Sequence, residues 1–221
     1  MRLGLIADIH GDIRALETTL SRLEQLAVDQ IVCLGDLVGY GSESDAVVAQ
    51  LRDRGIPCIR GNHDRWVIER RQMLGLRGWK AADLHDDTRD FLGRLPASRR
   101  LECEGRIIEL YHGSPAGDTE YVTAHKPLPP SIEQFWDQSD AGVLVLGHTH
   151  IPMIDRGPRG TVINPGSLLA VPGVQTSYTF AVLDVPSLAA RIYEVRTGRE
   201  IRRDPINLNG GMTHSCRPIL S

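Results

Sequence analysis

The sequence predicts an α/β fold in which two β-sheets pack face to face with helices on the outside. Two observations carry this prediction. In the first quarter of the chain, short apolar runs alternate with segments whose apolar residues recur every three or four positions, as in amphipathic helices. In the second half, strand-like segments follow one another with a single helix among them. Alternating strands and helices indicate a mostly parallel sheet, and the later strands supply a second one.

The first elements are short and regularly spaced. Apolar residues at Ile13, Leu16, Leu20 and Leu23 mark one face of the first helix. The predicted order is strand, helix, strand, helix, strand over Leu3–Ala7, Asp12–Ala27, Gln30–Leu34, Ser44–Arg54 and Ile56–Ile59. This βαβαβ order predicts parallel strands covered by helices.

The rest of the chain separates into three parts. Residues 64–95 are polar and helical, and we expect them to form a small helical cap within a domain that spans residues 1–196. The strands predicted after the cap are Arg106–Tyr111, Val143–Leu146, Pro152–Asp155, Thr161–Ile163, Tyr178–Asp184 and Arg191–Val195, with a helix at Ser131–Gln138. Residues 197–221 form a polar tail without periodicity, which we expect to be partly disordered.

Composition restricts the class of protein. With 41% hydrophobic and 24% charged residues and a net charge of -3, the chain lacks the basic excess of proteins that bind the phosphate backbone. We therefore expect no sequence-specific nucleic acid binding. No run reaches the roughly 20 apolar residues of a membrane span. The four cysteines form no CxxC pair, and we expect a cytoplasmic protein without disulfides. The oligomeric state stays open.

Side chains of the types that bind metals follow five of the predicted strands. They are Asp8 and His10, Asp36, Asn62 with His63 and Asp64, His112, and His148 with His150. In parallel sheets, ligands bind beyond the carboxyl ends of the strands, so residues far apart in sequence converge at one rim. A single histidine or aspartate at a strand end is usually a helix cap or a hydrogen-bonding residue. Five such strand ends in one chain favour a metal site over coincidence.

The motifs D-x-H, G-D, G-N-H-D, H-G and G-H-T-H occur in this order from Leu3 to about Asp184. Together they resemble the calcineurin-like metallophosphoesterases, and most closely their small bacterial and archaeal phosphodiesterase branch. The resemblance implies a four-layer α/β/β/α sandwich with a small cap. It also implies a binuclear metal-dependent enzyme that hydrolyses phosphodiesters or small phosphate esters, a nucleotide among them, by in-line attack of a metal-bridging hydroxide.

The resemblance also assigns roles to residues. It implies that the first ion is held by Asp8, His10, Asp36 and His150, and the second by Asp36, Asn62, His112 and His148. A carboxylate has two oxygens, so Asp36 can bridge both ions. Histidines two positions apart at a strand end project to the same side, so His148 and His150 can each serve a different ion. Imidazole, carboxylate and amide ligands without thiolate suit manganese first, with iron, zinc, nickel and cobalt as alternatives.

By the same resemblance, His63 stands beside the leaving group as a general acid or as a stabiliser of charge. The second motif reads GDLVGYG, with Gly39 and Tyr40 where the protein-phosphatase branch has an Asp and a phosphate-binding Arg. This difference argues against protein phosphatase activity. Arg60 and Tyr40 are the candidates for substrate binding, although Arg60 could equally be a surface residue.

Two questions stay open at this point. Asp12 could cap the first helix or add a carboxylate near the metals. The fold could also serve a binding or scaffold protein without turnover, but such a protein needs neither the complete ligand set nor His63. The sequence therefore favours the enzyme.

Overall fold

The computed structural model describes residues 1–69, 84–125, 127–169 and 178–201. Within these ranges the elements are β1 (Arg2–Ile6), α1 (Ile13–Gln25), β2 (Gln30–Cys33), α2 (Ser44–Asp53), α3 (Asn62–Ile68), α4 (Asp86–Arg94), β3 (Ser98–Cys103), β4 (Arg106–Tyr111), α5 (Pro130–Gln138), β5 (Val143–Val145), β6 (Met153–Arg156), β7 (Thr161–Asn164), β8 (Thr179–Asp184) and β9 (Ala189–Glu194).

The strands form two mixed sheets. The first has the order β2-β1-β8-β9, and the second has the order β3-β4-β5-β7-β6. In the first sheet β1 and β2 are parallel, and β8 runs antiparallel to β1. In the second sheet β4, β5 and β7 are parallel to one another, with β3 and β6 antiparallel at the two edges.

Three apolar cores separate four layers, as the sandwich prediction requires. Side-chain alternation along β5 shows how: Val143 and Val145 face the first sheet, and Leu144 faces α5. The middle core joins the two sheets, with Leu3 and Leu5 of β1 among its members. The helices α1 to α4 cover the outer face of the first sheet, and α5 covers the second. The predicted α/β fold with two packed sheets is confirmed.

The predicted strands need two corrections, one removal and one addition. The predicted strand at Ile56–Ile59 is wrong, because the segment forms only one isolated bridge, between Cys58 and Cys33. Pro57 lacks the N–H that would extend the ladder in one direction. In the other direction the N–H of Ile59 donates to Cys33, but the next N–H on that side, that of Gly61, bonds to the Asp64 carboxylate instead. The strand β3 was not predicted. Three of its six residues, SRRLEC, are charged, in keeping with its place at the edge of the sheet, where charged side chains are common.

Both ends of the segment predicted as a cap belong to the main body of the protein. Val67 of α3 and Leu92 of α4 are buried in the core beneath α1 and α2. Residues 70–83, the middle of that segment, lie outside the described residues. Of the predicted tail, residues 197–201 turn back onto β9, where the N–H of Ile201 donates to the carbonyl of Ile192. Residues 202–221 lie outside the described residues. Among the helices described, none is long and apolar enough to cross a membrane.

Candidate metal centre

The predicted ligands lie where parallel strands of both sheets end. Asp8 follows β1, Asp36 follows β2, His112 follows β4, and His148 with His150 follows β5. Five of these residues have a left-handed backbone, with φ values between 51° and 66°: Asp8, His10, Asp36, His148 and His150. Non-glycine residues rarely adopt this conformation, and clusters of it mark functional sites. The chain therefore turns sharply after β1, β2 and β5 and aims these side chains inward.

Two glycines let the loops that carry Asp36 and Asn62 touch. A Cβ on Gly35 would lie 2.4 Å from the backbone N of Gly61, and Gly35 has a φ of +92°. A Cβ on Gly61 would lie 2.1 Å from Oδ1 of Asp36. No side chain fits either position. The backbone N–H of His63 can then donate to Oδ1 of Asp36 at 2.8 Å.

Asp64 holds this arrangement together. Its buried carboxylate accepts hydrogen bonds from the backbone N–H groups of Asp36, Leu37 and Gly61, each at 2.9 Å. Burial raises the pKa of Asp64 to about 7, and the charge of Asp36 adds to the rise. Although the sequence groups Asp64 with metal-type ligands, its side chain faces backbone N–H groups. It is a positioning residue for the Asp36 loop.

Hydrogen bonds fix which nitrogen of two buried histidines faces the centre. Nδ1 of His10 lies 3.2 Å from the carbonyl oxygen of Val38, and Nδ1 of His112 lies 2.6 Å from that of Leu34. A carbonyl oxygen only accepts, so Nδ1 carries a proton in both rings. In the neutral rings Nε2 then keeps its lone pair and points to the carboxylates. Histidines that bind metals are held in this way.

The distances among these atoms suit metal ligands. Nε2 of His10 lies 3.7 Å from Oδ2 of Asp36, and Nε2 of His112 lies 3.4 Å from the same oxygen. Oδ1 of Asp8 lies 3.4 Å from Nε2 of His150 and 3.9 Å from those of His10 and His112. Atoms bound at about 2.1 Å to one ion stand about 3 to 4 Å apart. The donor atoms therefore fit a metal centre.

Asn62, His112 and His148 form the other side of the cluster. Oδ1 of Asn62 lies 3.0 Å from Nε2 of His112 and 2.9 Å from Nδ1 of His148. The backbone N–H of His148 donates to Oδ2 of Asp8 at 3.0 Å. Nε2 of His148 is buried and has no hydrogen-bond partner within the described ranges. Buried polar atoms are almost always paired, so the position of this ring points to a ligand.

The charges of the cluster also favour a cation. Burial lowers the pKa of His10 to about 4, which keeps this ring neutral and able to bind a metal. Burial acts in the same direction on His112, but the charge and hydrogen bond of Asp36 prevail and raise its pKa to about 10. Burial alone would raise the pKa of Asp36, but His112 and His10 hold it well below its usual range. The carboxylates thus stabilise positive charge at the centre of the cluster.

His63 lies beside the cluster, almost fully buried, among three rings. The centroid of its ring lies 4.6 Å from the ring centroid of His10 and 5.1 Å from those of Tyr40 and Trp66. A Cβ on Gly39 would lie 2.9 Å from its Nδ1, so Gly39 makes room for the ring. Ring packing therefore orients His63. A donor atom of His63 also lies within 4.8 Å of those of His10 and Asp36.

The two candidates for substrate binding have different positions. Tyr40 is at the cluster, with its ring centroid 4.8 Å from that of His10. The backbone N–H of Arg60 donates to the carbonyl of Pro96, and among the described residues its side chain forms no hydrogen bond or ion pair with the cluster, so its role in substrate binding stays a prediction. Asp12 accepts from the N–H of Ala15 and caps α1.

Sequence reasoning missed several residues that support the site. Nδ2 of Asn164 donates to the carbonyl of Gly147 and to Thr149, and the Ser167 hydroxyl donates to the carbonyl of Asp8. Asn164 ends β7, which is parallel to β5, so its side chain reaches the same rim. The signal was present in the sequence, since NPGS follows a predicted strand in the same way as the ligand motifs do.

Comparison with known proteins agrees with this geometry. Residues 1–187 match the family model of the calcineurin-like phosphoesterase superfamily domain. The chain belongs to the calcineurin-like phosphoesterase superfamily. This membership confirms the predicted family and the predicted class of phosphoric ester hydrolase, and the family uses divalent metal ions.

Relatives of this superfamily cover most of the chain. The phosphodiesterase YfcE of Escherichia coli K12 is 30% identical over 204 residues, which are 86% of this chain and 92% of YfcE. A probable metallophosphoesterase of Methanothermobacter thermautotrophicus is 27% identical over 92% of this chain and 96% of its own. The crystal structure of a metallophosphoesterase from Sphaerobacter thermophilus has a TM-score of 0.66 at 24% identity and covers 87% of this chain and 86% of its own.

Proposed function

We propose that this phosphoesterase hydrolyses phosphodiesters or small phosphate esters with two divalent metal ions, manganese in the first place. The observation that carries the proposal is the convergence of all seven predicted ligands at one rim, with two imidazole tautomers fixed so that Nε2 faces the carboxylates. The similarity to YfcE, a phosphodiesterase, supports the substrate class.

The contacts suggest how the ligands divide. In this proposal Asp8, His10 and His150 hold one ion, whereas Asn62, His112 and His148 hold the other. Asp36 serves both, because its Oδ2 lies between Nε2 of His10 and Nε2 of His112. Its Oδ1 is already occupied by the N–H of His63, which fixes the carboxylate plane.

The proposed reaction adds water across one ester bond. A hydroxide oxygen attacks phosphorus in line, the bond from phosphorus to the leaving oxygen breaks, and a phosphate monoester and an alcohol result. The ions, when bound, lower the pKa of the water that supplies this hydroxide and neutralise charge on the phosphoryl oxygens. The rigid, hydrogen-bonded loops keep the donor atoms in place, so little reorganisation accompanies the reaction.

We assign the proton of the leaving group to His63. It lies next to Asp36 and His10 in the described structure, with its ring held by Tyr40 and Trp66. Burial lowers its pKa, so the protonated ring that a general acid requires should be lost as the pH rises through a value below the usual range of histidine. An alkoxide departing from phosphorus would take this proton.

The test is metal depletion and reconstitution. Protein treated with a chelator and dialysed should lose hydrolysis of bis(4-nitrophenyl) phosphate, because without the ions the pKa of the attacking water is not lowered. Addition of Mn²⁺ should restore turnover, with Fe²⁺, Co²⁺, Ni²⁺ and Zn²⁺ as parallel arms. Two outcomes would overturn the proposal: full activity after complete depletion, or no turnover with any of these ions across diesters, monoesters and nucleotides.

A further inference from the structure

Exposed apolar side chains are concentrated around the candidate metal centre. Among the described residues, the large apolar side chains that are exposed are Tyr40, Ile68, Tyr121 and Ile151. Tyr40 and Tyr121 contact histidines of the cluster, and Ile151 follows His150 directly. Exposed apolar surface that gathers at one site indicates a binding surface.

Tyr121 contacts a histidine of the cluster other than those that Tyr40 contacts. Its ring centroid lies 4.7 Å from that of His148, at an interplanar angle of 70°. Tyr40 contacts His10 and His63, which belong to the other half of the cluster.

The loop between β4 and α5 displays the Tyr121 ring from an anchored backbone. On one side, the Glu120 carboxylate accepts hydrogen bonds from the hydroxyls of Ser114 and Ser131. On the other side, Val122 is 1% exposed and packs against α5 and the second sheet. Tyr121 itself is 67% exposed. A fixed backbone with an exposed ring is preorganised for binding, because little conformational entropy is lost when a ligand stacks on it.

An ion pair ties this loop to the helix that carries Asn62 and His63. The Arg65 guanidinium donates to both carboxylate oxygens of Asp118, at 2.6 and 2.9 Å. Such two-point pairs fix direction as well as distance. The position of Tyr121 is thereby coupled to that of His63 through α3.

We propose that Tyr121 is a specificity-determining residue that, with Tyr40, forms an aromatic clamp for a planar aromatic group attached to the phosphate of the substrate. This inference rests on the proposed function, since it needs the phosphate at the metal centre between the two tyrosines. The substrate class becomes phosphate esters with an aromatic group, of which nucleotides are a common biological source. Stacking on tyrosine suits this task because every nucleobase and aryl ring has a π-face.

Equilibrium binding tests the clamp separately from catalysis. We would measure, by calorimetry on the Mn²⁺-loaded protein, the Kd values of benzylphosphonate, cyclohexylmethylphosphonate and methylphosphonate, whose carbon–phosphorus bonds resist hydrolysis. The phosphonate analogue of thymidine 5′-phosphate, in which a methylene group replaces the ester oxygen, is a fourth arm that distinguishes a nucleobase from a smaller aryl ring. Benzylphosphonate should bind more tightly than both other phosphonates. Tyr121→Ala should weaken its binding about 5- to 150-fold, the effect of losing one base–aromatic stack, and should change methylphosphonate binding far less.

Two variants separate stacking from other effects. Tyr121→Phe keeps the ring and should retain the preference for benzylphosphonate, which a role of the hydroxyl would abolish. Ile68→Ala removes another exposed apolar side chain, at the end of α3, and should leave the preference unchanged. Equal Kd values for benzyl- and cyclohexylmethylphosphonate, or a preference that survives Tyr121→Ala, would overturn the clamp.

The clamp and the proposed function fail in different ways. If the wild-type protein hydrolyses methyl 4-nitrophenyl phosphate with Mn²⁺ but shows no preference among the phosphonates, the clamp is wrong and the function stands. If no phosphonate binds, the clamp is wrong and the phosphate site itself is contradicted. If no diester turns over with any divalent ion, the proposed function fails whatever the phosphonates do.

Discussion

Asp36→Asn should lose both metal ions and nearly all activity. The variant replaces the negative charge that faces His10 and His112 with a neutral amide. Loss of a residue that only supports a ligand lowers metal affinity about 10- to 100-fold, so loss of a shared ligand should cost at least about 100-fold at both sites. We expect turnover to fall by about 10³-fold or more, since removing one electrostatic contact to the transition state alone costs about 10² to 10³.

The substitution is close to isosteric, which makes the result interpretable. The amide oxygen of Asn at position 36 can still accept from the N–H of His63, as Oδ1 of Asp36 does at 2.8 Å. Metal content after dialysis against a fixed concentration of Mn²⁺, and kcat/KM for a nitrophenyl diester, are the measurements. Asn62→Ala is the matched comparison, because it should mainly weaken the second ion. Two ions bound at wild-type affinity in Asp36→Asn would show that Asp36 does not bridge.

The loss of activity in His63→Ala should be largest for substrates whose leaving group is most basic and must be protonated to depart. For alkyl diesters, whose alkoxides leave poorly, we expect a loss of about 10² to 10⁴ in kcat, the usual contribution of a general acid. For nitrophenyl diesters the loss should be much smaller, because nitrophenolate departs without a proton. Metal content should stay at the wild-type level. The measurement is kcat over a series of diesters with graded leaving groups.

His85→Ala provides the control for this series, since its side chain is 80% exposed and pairs only with Asp45 in the described structure. It should not change the dependence on the leaving group. Two results would remove the general-acid role from His63. Equal losses for alkyl and nitrophenyl diesters would indicate that it stabilises charge on the phosphoryl oxygens. Loss of a metal ion would indicate that it is a ligand, as its closeness to His10 and Asp36 allows.

The sequence was informative about the site because each ligand follows a strand. Strand periodicity and the chemistry of the residues after each strand are both visible in one sequence and indicate nine candidates, and the resemblance to the family selects seven of them as ligands. The prediction of two packed sheets succeeded for the same reason. Failures occurred where local pattern and tertiary context differ. The edge strand β3 is too charged to resemble a strand, and Ile56–Ile59 is apolar because it is buried beside Cys33, although it forms no ladder.

Other features depend on contacts between segments distant in sequence. Asp64 looks like a ligand in the motif, yet it bonds to N–H groups of a loop nearly 30 positions away. Tyr121 lies in a loop without periodicity, and its importance follows only from its approach to His148. Spacing along the chain does not determine such contacts.

The most direct test of the central claim, that these residues hold two ions, is anomalous diffraction from crystals soaked in Mn²⁺. We expect two peaks about 3.5 to 4 Å apart, the separation of two-metal sites. One peak should lie among Asp8, His10 and His150, the other should lie among Asn62, His112 and His148, and Asp36 should contact both. A single peak at saturating Mn²⁺, or peaks away from these residues, would contradict the proposal of a two-ion centre.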